Sequence, residues 1–199
     1  MIKLNIIDDK PQVQTPDHLG GHQGVSHIDE GTLDFLIQKF DVKSMVDVGQ
    51  GPGAMVQLAR HKGLAAKGID GDPRVDADIR HDYSTGPYLL DSDVDLAWSV
   101  EFLEHVDEPF LPNFMATFKS AKYILCTAAK PGEPGHHHVN CQPAHYWIGK
   151  FAEYGFVFDL QTTIDIRDFH TTMNTERPLK KQFVRRNGLF FIREDLVNL

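Results

Sequence analysis

The sequence has few cysteines and few basic residues, and it contains no long apolar run. Its two cysteines, Cys126 and Cys141, are too few for a disulfide framework, so we expect a reduced chain. No apolar run approaches bilayer length, and charged residues interrupt residues 1–8 too early for a signal peptide. These absences argue against a disulfide-rich secreted protein and a membrane-spanning one. They predict a soluble, cytoplasmic protein.

Acidic side chains outnumber basic ones. The 28 Asp and Glu residues against 20 Lys and Arg residues give a net charge of −8. Proteins that track a nucleic-acid backbone usually carry a basic face, so this composition disfavours a nucleic-acid partner. Only residues 177–186 are locally basic, through Arg177, Lys180, Lys181, Arg185 and Arg186, and a solvated loop or hairpin is the simplest interpretation. A chain of 199 residues is expected to form one domain over residues 1–199.

Apolar strands alternate with helical stretches along the chain. Helical spacing with an N-cap at Ser26 predicts a first helix, and strands follow at residues 44–48, 65–69, 75–79, 94–98 and 121–127. A helix over residues 144–154 then precedes an antiparallel pair at 156–160 and 189–193, separated by irregular polar residues 161–187. This rhythm predicts an α/β, Rossmann-like, doubly wound and mostly parallel seven-stranded sheet with helices on both faces. A ligand should bind at the carboxyl ends of the strands.

The first predicted strand ends in an acid and then in three glycines at alternate positions. Gly49, Gly51 and Gly53 allow positive φ angles and a close approach of the backbone to a ligand. The helix expected to follow presents its N-terminal amides to the same ligand. Asp47 favours a ligand with a cationic ammonium group, because a carboxylate at that position would repel the pyrophosphate of a dinucleotide.

The segment Asp47–x–Gly–x–Gly–x–Gly53 resembles motif I of the class I S-adenosylmethionine (SAM) methyltransferases, and three later segments match further motifs of that class in the same order. The resemblance implies that Asp47 and the turn bind the amino-acid part of SAM. It further implies that Asp70 binds the ribose hydroxyls, that Asp82 meets the adenine amino group, and that S-adenosylhomocysteine is the product. The implied SAM-binding residues are Asp47, Gly49, Gln50, Gly51, Gly53, Asp70, Gly71, Asp82, Tyr83, Ser99 and His22.

A finer resemblance covers nearly the whole chain. The segments from Gly20 to Asp29 and from Gly135 to Pro143 are similar to those of a small bacterial and phage group of single-domain methyltransferases. Relatives commonly carry Cys where this chain has Gln50. Because backbone atoms dominate the contact of this turn with SAM, the exchange is compatible with SAM binding.

Catalytic candidates follow the fourth and fifth predicted strands. Glu101 and His105 come after the fourth strand, and a structural or SAM-side role for Glu104 and His105 is the alternative to a role as base. His137 and His138 belong to a run of three histidines that starts at His136, in a loop where acceptors commonly bind in this class. A general base near the transferred methyl suits a hydroxyl acceptor.

Metal ligation is an alternative role for the histidine run. It would pair a histidine with a carboxylate such as Asp82 or Glu101. Plain packing of the loop is a further alternative, and the sequence pattern assigns no metal ligand.

We therefore expect a SAM-dependent methyltransferase acting on a small-molecule or sugar-type acceptor. A protein or nucleic-acid acceptor, bound through the basic residues 177–186, is the alternative within the class. A nicotinamide-dependent oxidoreductase and a non-catalytic SAM-binding protein are the alternatives outside it. The oligomeric state is not predicted.

Overall fold

The computed structural model describes residues 15–168 and 178–197. Within these ranges the chain forms one sheet of seven strands in the order β3-β2-β1-β4-β5-β7-β6. The strands are β1 (Ser44–Val48), β2 (Ala65–Asp70), β3 (Ile79–Arg80), β4 (Val94–Ser99), β5 (Ala121–Cys126), β6 (Phe156–Phe158) and β7 (Leu189–Arg193). Strands β1 to β5 pair in parallel, and β7 runs antiparallel to both β5 and β6. The predicted fold class is confirmed.

Helices cover both faces of the sheet. They are α1 (Glu30–Phe40), α2 (Ala54–His61), α3 (Leu111–Phe118), α4 (Ala144–Glu153), α5 (Leu160–Arg167) and α6 (Phe183–Asn187). One apolar layer joins α3 and α4 to the sheet through Phe114, Trp147 and Phe151. The opposite layer joins α1 and α2 through Leu36 and Met55. Residues alternate between these layers along β1, as expected of a strand buried on both faces. Among the described residues, no helix combines the length and apolar character needed to cross a membrane.

The start of α1 differs from the prediction. Asp29, not Ser26, is the N-cap, and its carboxylate accepts a hydrogen bond from the Thr32 amide at 3.0 Å. The Ser26 hydroxyl instead accepts a hydrogen bond from the amide of Ala54, the first residue of α2, at 3.4 Å. The segment before α1 therefore reaches across to the glycine turn.

The predicted strand at residues 75–79 was wrong. Only Ile79 and Arg80 pair with β2, while Val75 lies in a turn. The Arg80 guanidinium donates hydrogen bonds to the carbonyls of Asp72 and Val75, at 2.7 and 2.8 Å, and holds this turn in place. The alternation of apolar and acidic residues there imitates a strand, but the hydrogen bonds are those of a loop.

The prediction for residues 161–187 also needs correction. Antiparallel pairing of β6 with β7 is confirmed, but β6 ends at Phe158 and the helices α5 and α6 lie between the two strands. Asp159 caps α5 through hydrogen bonds from the Thr162 amide and hydroxyl, and this short polar signal starts a helix of weak amphipathicity.

Candidate active site

A cavity of about 750 Å³ lies at the carboxyl ends of β1, β2 and β4. Ligand-binding clefts are typically about 300–1,000 Å³, so this one is large enough for a cofactor of nucleoside size. Residues 18–27 and 134–138 form part of its wall, and Lys181 and Phe183 contribute from the segment that precedes and starts α6. The parallel sheet creates the position, because side chains that follow neighbouring strands meet at the same edge.

The glycine turn forms the inner wall. Gly49 and Gly51 have φ angles of 79° and 54°, a region that favours glycine. A Cβ on Gly49 would lie 2.6–2.8 Å from atoms of the Phe102 side chain, and one on Gly51 would lie 3.0 Å from the Cβ of His22. The turn is therefore packed on both sides and leaves its backbone as the surface available to a ligand.

Gln50 and Gly53 complete the turn in different ways. The Gln50 amide nitrogen donates hydrogen bonds to the carbonyls of Gly51 and Asp76, both at 3.1 Å, and its side chain fills the space above Gly68. Gln50 thus fixes the shape of the turn. Gly53 is the N-cap of α2 and lies outside the cavity lining, so its place in the structure supports the helix and not a direct ligand contact.

Two carboxylates lie beside the turn, at the carboxyl ends of two adjacent parallel strands. Asp47 is only 4% exposed, and burial, reinforced by the charge of Asp70, raises its pKa to about 8. Burial also raises the pKa of Asp70, while amide hydrogen bonds from Asp72 and Gly51, each at 2.8 Å, oppose the rise. A cationic ligand would stabilise the ionised form of Asp47 that burial disfavours.

The remaining predicted cofactor contacts surround the cavity. Asp82 accepts hydrogen bonds from the Ser84 amide at 2.9 Å and from His18 at 2.8 Å. Burial opposes ionisation of Asp82, but these partners prevail and its pKa is lowered. Tyr83 is buried, and its hydroxyl pairs with Thr117 Oγ1 at 2.8 Å. Gly71 and His22 also line the cavity.

Ser99 does not lie on the cavity wall. It is fully buried at the end of β4, and its hydroxyl donates a hydrogen bond to the Val48 carbonyl at 3.0 Å. This hydrogen bond links the ends of β4 and β1, and a direct contact of Ser99 with SAM stays a prediction.

Glu101 lies on the cavity wall just after β4. Its φ of 55° is unusual for a residue with a side chain. Thr127 Oγ1 accepts a hydrogen bond from the Glu101 amide and donates one to its carboxylate, both at 2.8 Å. Burial raises the pKa of Glu101 to about 7, although the Thr127 hydroxyl lowers it and the charge of Glu133 raises it further. A carboxyl group of this pKa can exchange protons near neutral pH.

Glu104 and His105 lie in a 3-10 turn, Leu103–His105, and both line the cavity. Burial raises the pKa of Glu104 well above its usual range, the charge of Glu101 adds to this, and the amides of Glu104 and Ala129 oppose it. Burial lowers the pKa of His105 to about 4, helped by neighbouring His138. The lowered pKa favours the neutral imidazole, which carries a lone pair on one ring nitrogen.

The three consecutive histidines point in different directions. His136 Nε2 lies 3.0 Å from the Leu19 carbonyl oxygen, and His137 Nε2 lies 3.9 Å from an Asp107 carboxylate oxygen. His138 packs edge to face on His105, with ring centroids 5.0 Å apart. His137, at the centre of the run, has a left-handed φ of 47°. All three line the cavity, as do the predicted catalytic residues Glu101 and His105.

Sequence reasoning missed several residues that shape the site. The Asp72 carboxylate is hydrogen-bonded to His22 and forms an ion pair with Arg74. His18 is hydrogen-bonded to Asp82, and the Phe102 side chain packs against Gly49. The Asp72–Pro–Arg74 segment contains a turn signal, because an Asp side chain often bonds to the amide two residues on. His18 and Phe102 carry no comparable signal in the sequence.

Comparisons with known proteins agree with this architecture. No protein-family model and no curated protein matches the chain. Among solved structures, the sugar N-methyltransferase KedS8 from a Streptoalloteichus species is similar over 86% of this chain and 90% of its own, with 10% identity and a TM-score of 0.58. The methyltransferase domain of bacterial CtHen1 is similar over 70% of this chain and 88% of its own, with 18% identity and a TM-score of 0.51.

At such low identity the similarity concerns the fold alone. The chain has the class I SAM-dependent methyltransferase fold, with its strand order and antiparallel β7. One fold of this kind serves many acceptors, so the likeness does not identify what is methylated.

Proposed function

We propose that this protein is a SAM-dependent methyltransferase that acts on a small-molecule or sugar-type acceptor. The observation that carries the proposal is the buried carboxylate of Asp47, which lines the cavity beside the left-handed turn of Gly49 and Gly51. This pairing of a buried acid with the backbone of a turn that lines the cavity suits an ammonium and carboxylate group such as the amino-acid part of SAM. Asp70, on the next strand, suits the ribose hydroxyls.

Methyl transfer needs accurate placement more than activation. A lone pair of the acceptor forms a bond to the methyl carbon while the C–S bond breaks, and its electrons remain on sulfur as neutral S-adenosylhomocysteine. Holding the two reactants in line supplies much of the acceleration. If the acceptor is a hydroxyl, its proton passes to a base on the cavity wall. We propose Glu101, His105, His137 and His138 as the catalytic candidates.

The choice of a small acceptor is supported by the shape of the cavity and by the net charge. Residues 18–27 and 134–138 contribute walls to a cavity of about 750 Å³, and the net charge of −8 disfavours a polyanion. The alternative is a nucleic-acid or protein acceptor bound through the basic segment, whose Lys181 does line the cavity. In that segment Arg186 already pairs with Glu133, and Arg177 lies outside the described residues.

Calorimetric titration with SAM, S-adenosylhomocysteine and NAD tests the class directly. Micromolar binding of SAM or S-adenosylhomocysteine, with no heat from NAD, is the expected result. Binding of NAD alone would replace the proposal with a nicotinamide-dependent oxidoreductase. Tight SAM binding without any S-adenosylhomocysteine formed, across extracts and acceptor panels, would instead indicate a non-catalytic SAM-binding protein.

Two sets of variants separate the remaining alternatives. Neutralising Lys180, Lys181, Arg185 and Arg186 together should leave turnover of a small acceptor intact, whereas a polyanionic acceptor would lose salt-sensitive binding. His137→Ala and His138→Ala should each reduce turnover once an acceptor is found. Full turnover in both would remove the histidine run from the catalytic assignment.

A further inference from the structure

Three side chains with metal-binding atoms converge on one wall of the cavity. Glu104 and His105 come from the turn after β4, and His138 comes from the loop between β5 and α4. One ligand atom from each lies within 4.8 Å of the others. Around a bound transition metal, ligand atoms at about 2.0–2.2 Å from the ion are roughly 3–4 Å apart. Side-chain adjustments of about 1 Å would therefore complete such a site.

Glu104 is the least satisfied group in this cluster. Its side chain is 0% exposed, and neither carboxylate oxygen has a hydrogen-bond partner of good geometry among the described residues. The neighbouring ionisable groups that act on it most, Glu101 and Glu133, are acids and offer no positive charge. A carboxyl group buried without an opposite charge is either protonated or bound to a cation. A cation between Glu104 and the two imidazoles would supply the missing partner.

The hydrogen bonding of His138 prepares it as a ligand. Its Nδ1 lies 2.9 Å from the carbonyl oxygen of Glu133. Because a carbonyl can only accept, Nδ1 carries the proton and the lone pair is on Nε2. Metal-binding histidines are commonly oriented in this way by a backbone carbonyl on their second nitrogen. His105 Nδ1 is buried and has no hydrogen-bond partner of its own among the described residues.

We propose that Glu104, His105 and His138 bind a divalent first-row transition-metal ion such as Mn²⁺ or Zn²⁺. Two imidazoles and one carboxylate favour such ions over Mg²⁺, which prefers oxygen ligands and retains its waters. Three protein ligands leave further coordination positions, as in catalytic metal sites. All three residues line the cavity, so an open coordination position would face its interior.

The metal would bind an oxygen atom of the acceptor, and this part rests on the proposed function. A metal ion at this position narrows the acceptor class to compounds that present a hydroxyl or a similar oxygen donor. The ion would hold that oxygen in place beside the methyl group of SAM. Metal binding itself does not depend on the proposed function and is measured without SAM or acceptor.

The test is calorimetric titration of chelator-treated, dialysed protein with Mn²⁺, Zn²⁺ or Mg²⁺, supported by the visible absorption of the Co²⁺ form. We expect one Mn²⁺ or Zn²⁺ per chain, with Mg²⁺ much weaker. His138→Ala should weaken binding at least tenfold, because loss of an outer hydrogen-bonding partner alone costs about 10- to 100-fold. His136→Ala is the matched control from the same loop and should bind the ion like the wild type.

Glu104→Gln keeps the shape of the side chain and should also lose affinity, with folding checked by circular dichroism. If it fails to fold, His138→Ala and His136→Ala still decide the question. Absence of binding to the wild type, or equal affinity in His138→Ala, would overturn the site. Titration with S-adenosylhomocysteine on the same samples separates the two proposals. If the protein binds S-adenosylhomocysteine but no metal ion, only the metal site is overturned. If it binds the metal ion but not S-adenosylhomocysteine, only the proposed function is overturned.

Discussion

Asp72 anchors His22 over the glycine turn, its Oδ2 lying 3.0 Å from His22 Nε2. The two residues are 50 positions apart in the sequence, and the Asp72 carboxylate is fully buried. The Arg74 side chain bonds to the same carboxylate and, with its own amide and His22, holds the pKa of Asp72 at about 2 despite burial. His22 in turn packs against Gly51. A hydrogen-bonded network that includes the Asp72–Arg74 ion pair thus connects the segment before α1 to the glycine turn.

This relationship predicts non-additive effects on cofactor binding. His22→Ala and Asp72→Asn should each weaken S-adenosylhomocysteine binding by about 3- to 10-fold, the range expected for one hydrogen bond of about 0.5–1.5 kcal/mol. The double variant should bind S-adenosylhomocysteine no more weakly than the single variant of lower affinity, because both changes remove the same hydrogen bond. Calorimetric titration of the wild type, the two single variants and the double variant gives the double-mutant cycle. Losses that add in free energy would show that the residues act separately.

Asp47→Asn should weaken SAM binding by about 10- to 100-fold. A hydrogen bond to a charged group contributes about 1.5–3 kcal/mol, and the neutral amide cannot offset the ammonium charge. Isothermal titration calorimetry with SAM provides the measurement. Asp41→Asn is the matched control, since that side chain is 83% exposed at the end of α1. Equal affinities in the wild type and Asp47→Asn would remove Asp47 from the SAM site.

Asp47 should also make the stability of the ligand-free protein depend on pH. Burial and the charge of Asp70 raise the pKa of Asp47 from 3.8 to about 8. The folded state therefore binds a proton more tightly than the unfolded state does. The resulting stabilisation is fully present below pH 3.8 and is lost as the pH rises through about 8.

Thermal unfolding of the wild type and Asp47→Asn at pH 5 and pH 8 measures this effect. The wild type should lose stability relative to the variant between these two values, because the variant has no proton to release at this position. In the difference between the two proteins, the contributions of the other titrating groups to stability cancel. A difference in melting temperature that does not change with pH would contradict the raised pKa.

The sequence predicts those parts of the structure that depend on neighbouring residues. The strands at 44–48 and 189–193 were predicted with the bounds observed, because apolar runs between turn residues define them locally. Parallel pairing then brings Asp47 and Asp70 to one edge. Contacts that depend on the path of a loop were not predictable, such as the bond between His18 and Asp82.

The cluster of Glu104, His105 and His138 shows the same limit. Glu104 and His105 are adjacent in sequence, but His138 lies 33 residues after His105, in the loop between β5 and α4 that contains the left-handed residue His137. The sequence pairs the histidine run with Asp82 or Glu101 as possible ligands. In the structure, Glu104 is the carboxylate grouped with His138.

Gly49→Ala should be more destabilising than its positive φ alone explains. A left-handed conformation costs an alanine about 1–2 kcal/mol, and Gly63→Ala measures that cost alone, since a Cβ there meets nothing within 4 Å at a φ of 89°. At Gly49 the added Cβ would also overlap the Cβ and Cγ of Phe102, within 2.8 Å. Overpacking of this kind costs about 1–3 kcal/mol more.

Chemical denaturation of both variants gives the comparison, and Phe102→Ala identifies the cause. Removing the ring should cost less stability in the Gly49→Ala background than in the wild type, because it also relieves the overlap with Cγ and Cδ2, although the Cβ of residue 102 remains. The backbone conformation at residue 49 remains strained, so SAM binding should stay weak in the double variant. Equal costs for Gly49→Ala and Gly63→Ala would mean that Phe102 moves away freely and does not support the turn.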